Sequence, residues 1–140
     1  MNIVGLIPAR AGSRRVPGKN IKMCAGKPLL LYTCDAASQS RYLNRVVLST
    51  NDVATKSVAE NAGVEVPFLR PESLSGHEVS MIDVVRHAYE YLTAKGLGID
   101  LLVLLQPTSP LREVEDIDKA IEIYLRGGVD SVVSVVRVPH

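Results

Sequence analysis

The sequence has no tryptophan and a single phenylalanine among its 140 residues. Surfaces that hold single-stranded nucleic acid rely on aromatic side chains under the bases, so this scarcity argues against one. Neither charge sign dominates: the formal net charge is +1, which provides no general attraction for a polyanion. No nucleic-acid partner is therefore expected. The two cysteines, Cys24 and Cys34, are too few for a disulfide framework and lack metal-ligand spacing. They read as reduced thiols of a cytoplasmic protein. No apolar run approaches the roughly 20 residues of a membrane span. The apolar start is short and passes straight into a charged loop, unlike a signal peptide. Neither a membrane partner nor a leader is expected, and the length suits one domain, 1–140, with a real core.

What is present is concentrated at the start. An apolar strand pattern, Ile3-Val4-Gly5-Leu6-Ile7, runs directly into Pro8-Ala9-Arg10-Ala11-Gly12-Ser13-Arg14-Arg15-Val16-Pro17-Gly18-Lys19-Asn20. Glycines let backbone amides approach phosphate oxygens without a Cβ in the way. Arginine adds forked hydrogen bonds and lysine a point charge. The segment therefore predicts a polyphosphate site and hence a nucleotide. It is not a Walker A loop: five residues separate Gly12 from Gly18, Pro17 is among them, and Asn20 follows the lysine. It also lacks the G-x-G-x-x-G of dinucleotide folds.

The rest alternates strand and helix. Strands are predicted at Ile3 to Ile7, Val46 to Ser49, Leu101 to Leu105 and Ser131 to Val136, all rich in Val, Ile and Leu. Helices are predicted from Pro28 to Ala37 and from Ala54 to Ala62, the latter with Asp52 as cap and Gly63 as stop. Met81, Val84, Val85, Ala88 and Leu92 share one helical face. Ile117, Ala120, Ile121, Tyr124 and Leu125 share another, before Gly127-Gly128. The sum is an α/β fold with a mostly parallel sheet. Ligands of such sheets bind at the carboxyl ends of the strands. That rule gathers Arg10 to Asn20, Gln106 to Arg112, and Ser49, Asn51 and Asp52 on one edge.

Several stretches together resemble the acylneuraminate cytidylyltransferases: Ile7-Pro8-Ala9-Arg10 with Ser13 and Pro17-Gly18-Lys19-Asn20, then Leu48-Ser49-Thr50-Asn51-Asp52, Val66-Pro67-Phe68-Leu69-Arg70-Pro71, and Leu104-Leu105-Gln106-Pro107-Thr108-Ser109-Pro110-Leu111-Arg112. The resemblance implies a three-layer Rossmann-like nucleotidyltransferase fold of the nucleotide-diphospho-sugar transferase type. It also implies transfer of CMP from CTP to a sialic-acid-type 2-keto sugar acid with release of pyrophosphate, with Mg²⁺ as cofactor. Arg10 and Lys19 are then the expected catalytic cations. Ala9, Arg10, Ala11, Gly12, Ser13, Arg14, Lys19 and Asn20 would hold the nucleotide, with Arg70 and Ser80 on the cytosine and Gln106 on the sugar. Family members are longer and dimeric. The resemblance thus implies that residues 1–140 are the nucleotide-binding part, truncated before the segment that supplies acceptor-pocket, dimer and metal-binding groups.

Alternatives stand beside these roles. Arg14 and Arg15 could reach phosphate or be solvated, Asn20 could bond its own loop, Ser80 could cap a helix, and Arg112 could meet an anion or cap local structure. The acceptor could be legionaminic, pseudaminic or 3-deoxy-octulosonic acid, and the chain could bind CTP without turnover. Ser75-Gly76-His77-Glu78 departs from the family's usual Ala/Ser-x-Asp-Thr. No convincing general base is evident, and the tail lacks an obvious Asp-x-Asp, so metal ligands are not assigned. His77-Glu78 reads as a solvated pair and His87 as structural.

Overall fold

The structure is a computed structural model and describes residues 1–139. Strand β1 (Ile3–Pro8) is buried at every position, because it is the central strand and helices cover both of its faces. β1 is followed by a small hairpin, β2 (Met23–Cys24) and β3 (Lys27–Pro28), then α1 (Leu29–Ser38) and β4 (Arg45–Ser49). α2 (Val53–Asn61), α3 (Met81–Ala94), β5 (Leu101–Leu104) and α4 (Val114–Leu125) complete the order. β4 and β5 both run parallel to β1, giving the sheet order β4-β1-β5. Two parallel bridges, Val47 to Glu65 and Thr50 to Leu69, lay residues 65–69 along the free edge of β4 as a fourth lane.

The pleat of β1 sorts the core into two layers. Ile3 and Ile7 face one side, with Leu30 and Cys34 of α1, Ala59 of α2, and Ile117 and Ile121 of α4. Val4 and Leu6 face the other, with Val47, Phe68, and Ala88 and Leu92 of α3. Three helices thus cover one face and α3 covers the other, the three-layer α/β arrangement expected from the sequence. Each fully buried Leu or Ile here contributes about 1.5–3 kcal/mol. Burial also pushes the Cys34 thiol up to about 12, so it is an inert core group.

Helix ends follow from local chemistry. The Asp52 carboxylate accepts from the Thr55 amide at 2.9 Å and from its hydroxyl at 2.7 Å. These bonds, the hydroxyl first, hold its pKa below the usual carboxylate range. Gly63, at φ 81°, ends α2. Glu113 and Asp116 form a reciprocal capping box at the start of α4.

One expected strand is absent. Residues 131–139 have no regular structure, and Val133, Val135 and Val136 are 76%, 89% and 86% exposed. A run of β-branched residues favours extended backbone, but a strand exists only when its polar groups find a partner. Among the described residues none pairs with the outer edge of β5.

Gly5 lies at the centre of β1, where a Cβ would stand 3.0 Å from Leu43 Cδ1 and 3.5 Å from Leu105 Cδ1. Gly5→Val should lower stability by about 1–3 kcal/mol through overpacking. The measurement is a urea titration, with a lower midpoint and an unchanged slope.

Candidate functional site

The loop after β1 is held open by its own side chains. Ala9 is buried and its amide donates to the Ser49 carbonyl at 2.9 Å, which fixes where the chain leaves the sheet. Arg10 turns its guanidinium onto the Gly12 carbonyl at 2.9 Å. Gly12 and Gly18 sit at φ 51° and 63°, left-handed positions where a side chain would add strain. Gly18 leads into a tight helical turn, Lys19–Ile21. Asn20 is buried, and its amide donates to the Arg10 carbonyl at 3.0 Å. Its side chain therefore shapes the loop, the alternative left open by the sequence.

Two further expectations gain detail. The Ala11 amide, proposed from sequence to cup phosphate, donates instead to Asn51 Oδ1 at 2.9 Å. Ser13 Oγ accepts from the Val16 amide at 3.4 Å, leaving its hydroxyl proton free to donate. Arg14 and Arg15 are exposed, while Arg10, Ser13 and Lys19 are half-buried.

Arg70 is the least expected of the cations in its setting. It is 4% exposed, at the end of the lane beside β4. Its Nε donates to Ser49 Oγ at 3.0 Å, one Nη to the Ser49 carbonyl at 2.8 Å, and the other to the Leu74 carbonyl at 3.3 Å. Among the described residues no carboxylate pairs with it. Burial, and secondarily the charge of Arg10, draw its pKa down to about 10.

Among the described residues Arg10, Arg14, Arg15, Lys19 and Arg70 form no ion pair. Elsewhere Lys27 pairs with Asp35, Arg45 with Glu65 and Arg41 with Glu122, while Lys22, Lys95, Arg112, Lys119, Arg126 and Arg137 also have no ion pair among the described residues. The carboxyl edge thus groups five cations without an ion pair beside the carboxylates of Asp52 and Glu72, an excess of positive charge that suits an anion with several charges.

The remaining candidates lie around it. Ser80 caps α3: its Oγ accepts from the Asp83 amide at 3.2 Å and donates to the Asp83 carboxylate at 2.9 Å, and the residue is exposed. Gln106 is exposed just past β5, and its carbonyl accepts from Arg112 at 3.1 Å. Burial lowers the Arg112 pKa, partly offset by Asp116. His77 and Glu78 form an exposed pair at 3.5 Å. The described residues contain no cluster of three or more His, Cys, Asp or Glu that could hold a metal. The nearby Asp52 carboxylate is engaged in its cap. Sequence reasoning set Ser49 and Asn51 at this edge without assigning them work. Their contacts cross more than twenty residues of sequence, so no local motif displays them.

A parallel three-layer α/β domain with a glycine-containing cationic loop at the carboxyl edge defines the class of protein. The family model for cytidylyltransferases matches residues 4–140, and the chain belongs to that family. It is 43% identical to the CMP-N,N'-diacetyllegionaminic acid synthase of Legionella pneumophila, over 96% of this chain and 58% of that protein. It is 37% identical to an N-acylneuraminate cytidylyltransferase of Escherichia coli, over 87% of this chain and 28% of that one. A pseudaminic acid cytidylyltransferase of Campylobacter jejuni is 36% identical over 86% of this chain and 52% of its own length. The chain thus spans between about a quarter and three-fifths of these relatives. Among solved structures, the CMP:2-keto-3-deoxy-manno-octonic acid synthetase complexed with CTP shares the fold. Its TM-score is 0.75 at 24% identity, covering 90% of this chain and 48% of that one.

His87 stands behind the site, with its ring edge-on to Phe68 at 4.7 Å and its Nδ1 buried without a partner. Burial, and then Arg70, lower its pKa, against a smaller opposing pull from Glu90. The fold therefore favours the neutral imidazole. The stability this contributes is present above the unfolded value of about 6.5 and is lost as pH falls through the folded value. Thermal melting of the wild type should decline as pH is lowered from 7 to 5, and His87→Gln should flatten that decline. Equal slopes would remove His87 as its source.

Proposed function

We propose that this chain forms the nucleotide-binding part of an enzyme that transfers CMP from CTP to a sialic-acid-type 2-keto sugar acid, releasing pyrophosphate. The observation that carries this reading is the group of five cations without carboxylate partners at the carboxyl edge. In the reaction the anomeric hydroxyl attacks the α-phosphorus and the bond to pyrophosphate breaks. Negative charge grows on the leaving oxygens, so pre-set cations and accurate positioning provide most of the catalysis. Arg10 and Lys19 would stabilise that charge, with Ser13 donating its free hydroxyl proton and Arg14 reaching outer phosphates. Arg70 and Ser80 would face the cytosine, whose carbonyl and ring nitrogen accept and whose amino group donates. Gln106, which can both donate and accept, would face the sugar. Its relatives carry the names of three different sugar acids, so the acceptor is proposed only as a class.

The described residues do not fit a resident metal site. We place Mg²⁺ on the triphosphate, as part of the substrate. We also place the enzyme in the cytoplasm, where CTP is made, as a homodimer.

Calorimetric titration with CTP, UTP, GTP and ATP in the presence of Mg²⁺ tests the reading. CTP should bind at least about tenfold more tightly than the others, a difference of roughly 1.4 kcal/mol. Arg10→Ala and Lys19→Ala should each weaken CTP binding by about 1.5–3 kcal/mol, the usual worth of a hydrogen bond to a charged group, without shifting the melting temperature. Equal binding of all four nucleotides would leave a phosphate site and remove the base readers. Unchanged affinity in both variants would overturn the phosphate assignment.

A further inference from the structure

Asn51 touches both halves of the candidate site. Its Oδ1 accepts from the Ala11 amide at 2.9 Å, in the phosphate loop. Its Nδ2 donates to Glu72 Oε1 at 3.4 Å, in the turn that follows Arg70. The orientation of the carboxamide is not arbitrary: a backbone amide can only donate, so the oxygen must face Ala11 and the nitrogen must face the other way. Neither partner lies near Asn51 in sequence; they are 40 and 21 residues away. The same short stretch carries three further ties, since the Thr50 carbonyl accepts the Arg70 amide at 2.7 Å and the Ser49 carbonyl accepts both the Ala9 amide and the Arg70 guanidinium. Those ties act at the root of each segment, two between backbone groups and one from the Arg70 guanidinium. Asn51 is the one that reaches the cationic loop beyond its root.

We infer that Asn51 is a positioning residue that sets the distance between the phosphate loop and the Arg70 segment, so that one ligand can engage both at once. The inference rests on the CTP reading above and extends it. A ligand with an anionic end and a base end gains from two sites only when their separation matches its length. Fixing that separation beforehand removes an ordering cost at binding. A fragment that fills only one site gains nothing from it. The mark of this role is therefore a loss that falls on CTP and spares pyrophosphate. A residue that merely shaped the loop would weaken both alike.

Glu72 allows the test from the far end, on an exposed side chain whose change leaves the core intact. Glu72→Gln and Glu72→Ala remove the same charge, but only the glutamine keeps an oxygen for Asn51. Calorimetry with CTP and with pyrophosphate reads the difference. Glu72→Ala should bind CTP about threefold to tenfold more weakly than Glu72→Gln, the range expected for one modest hydrogen bond, while the two bind pyrophosphate equally. Asn51→Leu should lower CTP affinity about tenfold and pyrophosphate affinity clearly less. Equal CTP binding by the two Glu72 variants, or an equal loss of CTP and pyrophosphate in Asn51→Leu, overturns the inference while the CTP reading stands. A wild-type chain that binds pyrophosphate and not CTP removes the reading itself, and the inference with it.

Discussion

The Ser49 carbonyl oxygen accepts from the Ala9 amide and from the Arg70 guanidinium, at 2.9 and 2.8 Å. Through that one atom the cationic loop and the Arg70 segment are hung from the end of the same strand. A carbonyl has two lone pairs, and here both are used by groups that flank it on opposite sides of β4. The arrangement depends on register: β1 and β4 must pair with Pro8 opposite Ser49, as they do, for Ala9 to arrive at this point. A slip of one residue would turn Ser49 to the other face and separate the two segments.

Burying Arg70 here has an electrostatic consequence. A buried cation without an acid is costly, and its hydrogen bonds to neutral oxygens offset only part of that cost. Arg10 adds a second positive charge nearby, and its repulsion pulls the Arg70 pKa in the same direction as burial, the larger cause, does. The site therefore holds an unmet demand for negative charge before any ligand arrives. A polyanion bound here would relieve repulsion already present in the folded chain, which is what a preorganised electrostatic site does. It also explains why His87 is best kept neutral: a third charge behind Arg70 would add to the repulsion without adding a contact.

Much of this was legible in the sequence, and the parts that were not share a cause. Ile3 to Ile7, Val46 to Ser49 and Leu101 to Leu105 read as strands because both faces are covered, and unbroken apolar runs report that directly. The cationic loop was legible because its glycines and charges lie in one stretch. Asp52, Ser80 and Gly63 mark helix ends by chemistry that acts over three or four residues. The Ser131 to Val136 pattern misled because β-branched composition states a preference for extended backbone, whereas pairing is a property of a neighbour. The roles of Ser49, Asn51 and Glu72 were hidden for the same reason. Each acts across a contact between segments, and a single sequence carries no record of which segments meet.

α3 ties the two levels together. It is the only described helix on its face of the sheet, so Phe68, Ala88 and Leu92 carry that layer with little redundancy. Ser80 begins the helix at the site, and His87, seven residues on, falls on the same side two turns later. Phe68 lies two residues before Arg70 on the neighbouring lane, packed against both His87 and Tyr91. Shifting α3 therefore moves Ser80 and disturbs the packing that backs Arg70 in one motion. Packed interfaces of this kind resist continuous deformation, so the two candidate base readers keep a fixed relation to each other. Asn51 does the corresponding work between Arg70 and the phosphate loop, using hydrogen bonds where α3 uses apolar contact. The difference suits their positions: a core can hold one side rigid, while a loop open to solvent must be held by polar groups that tolerate water.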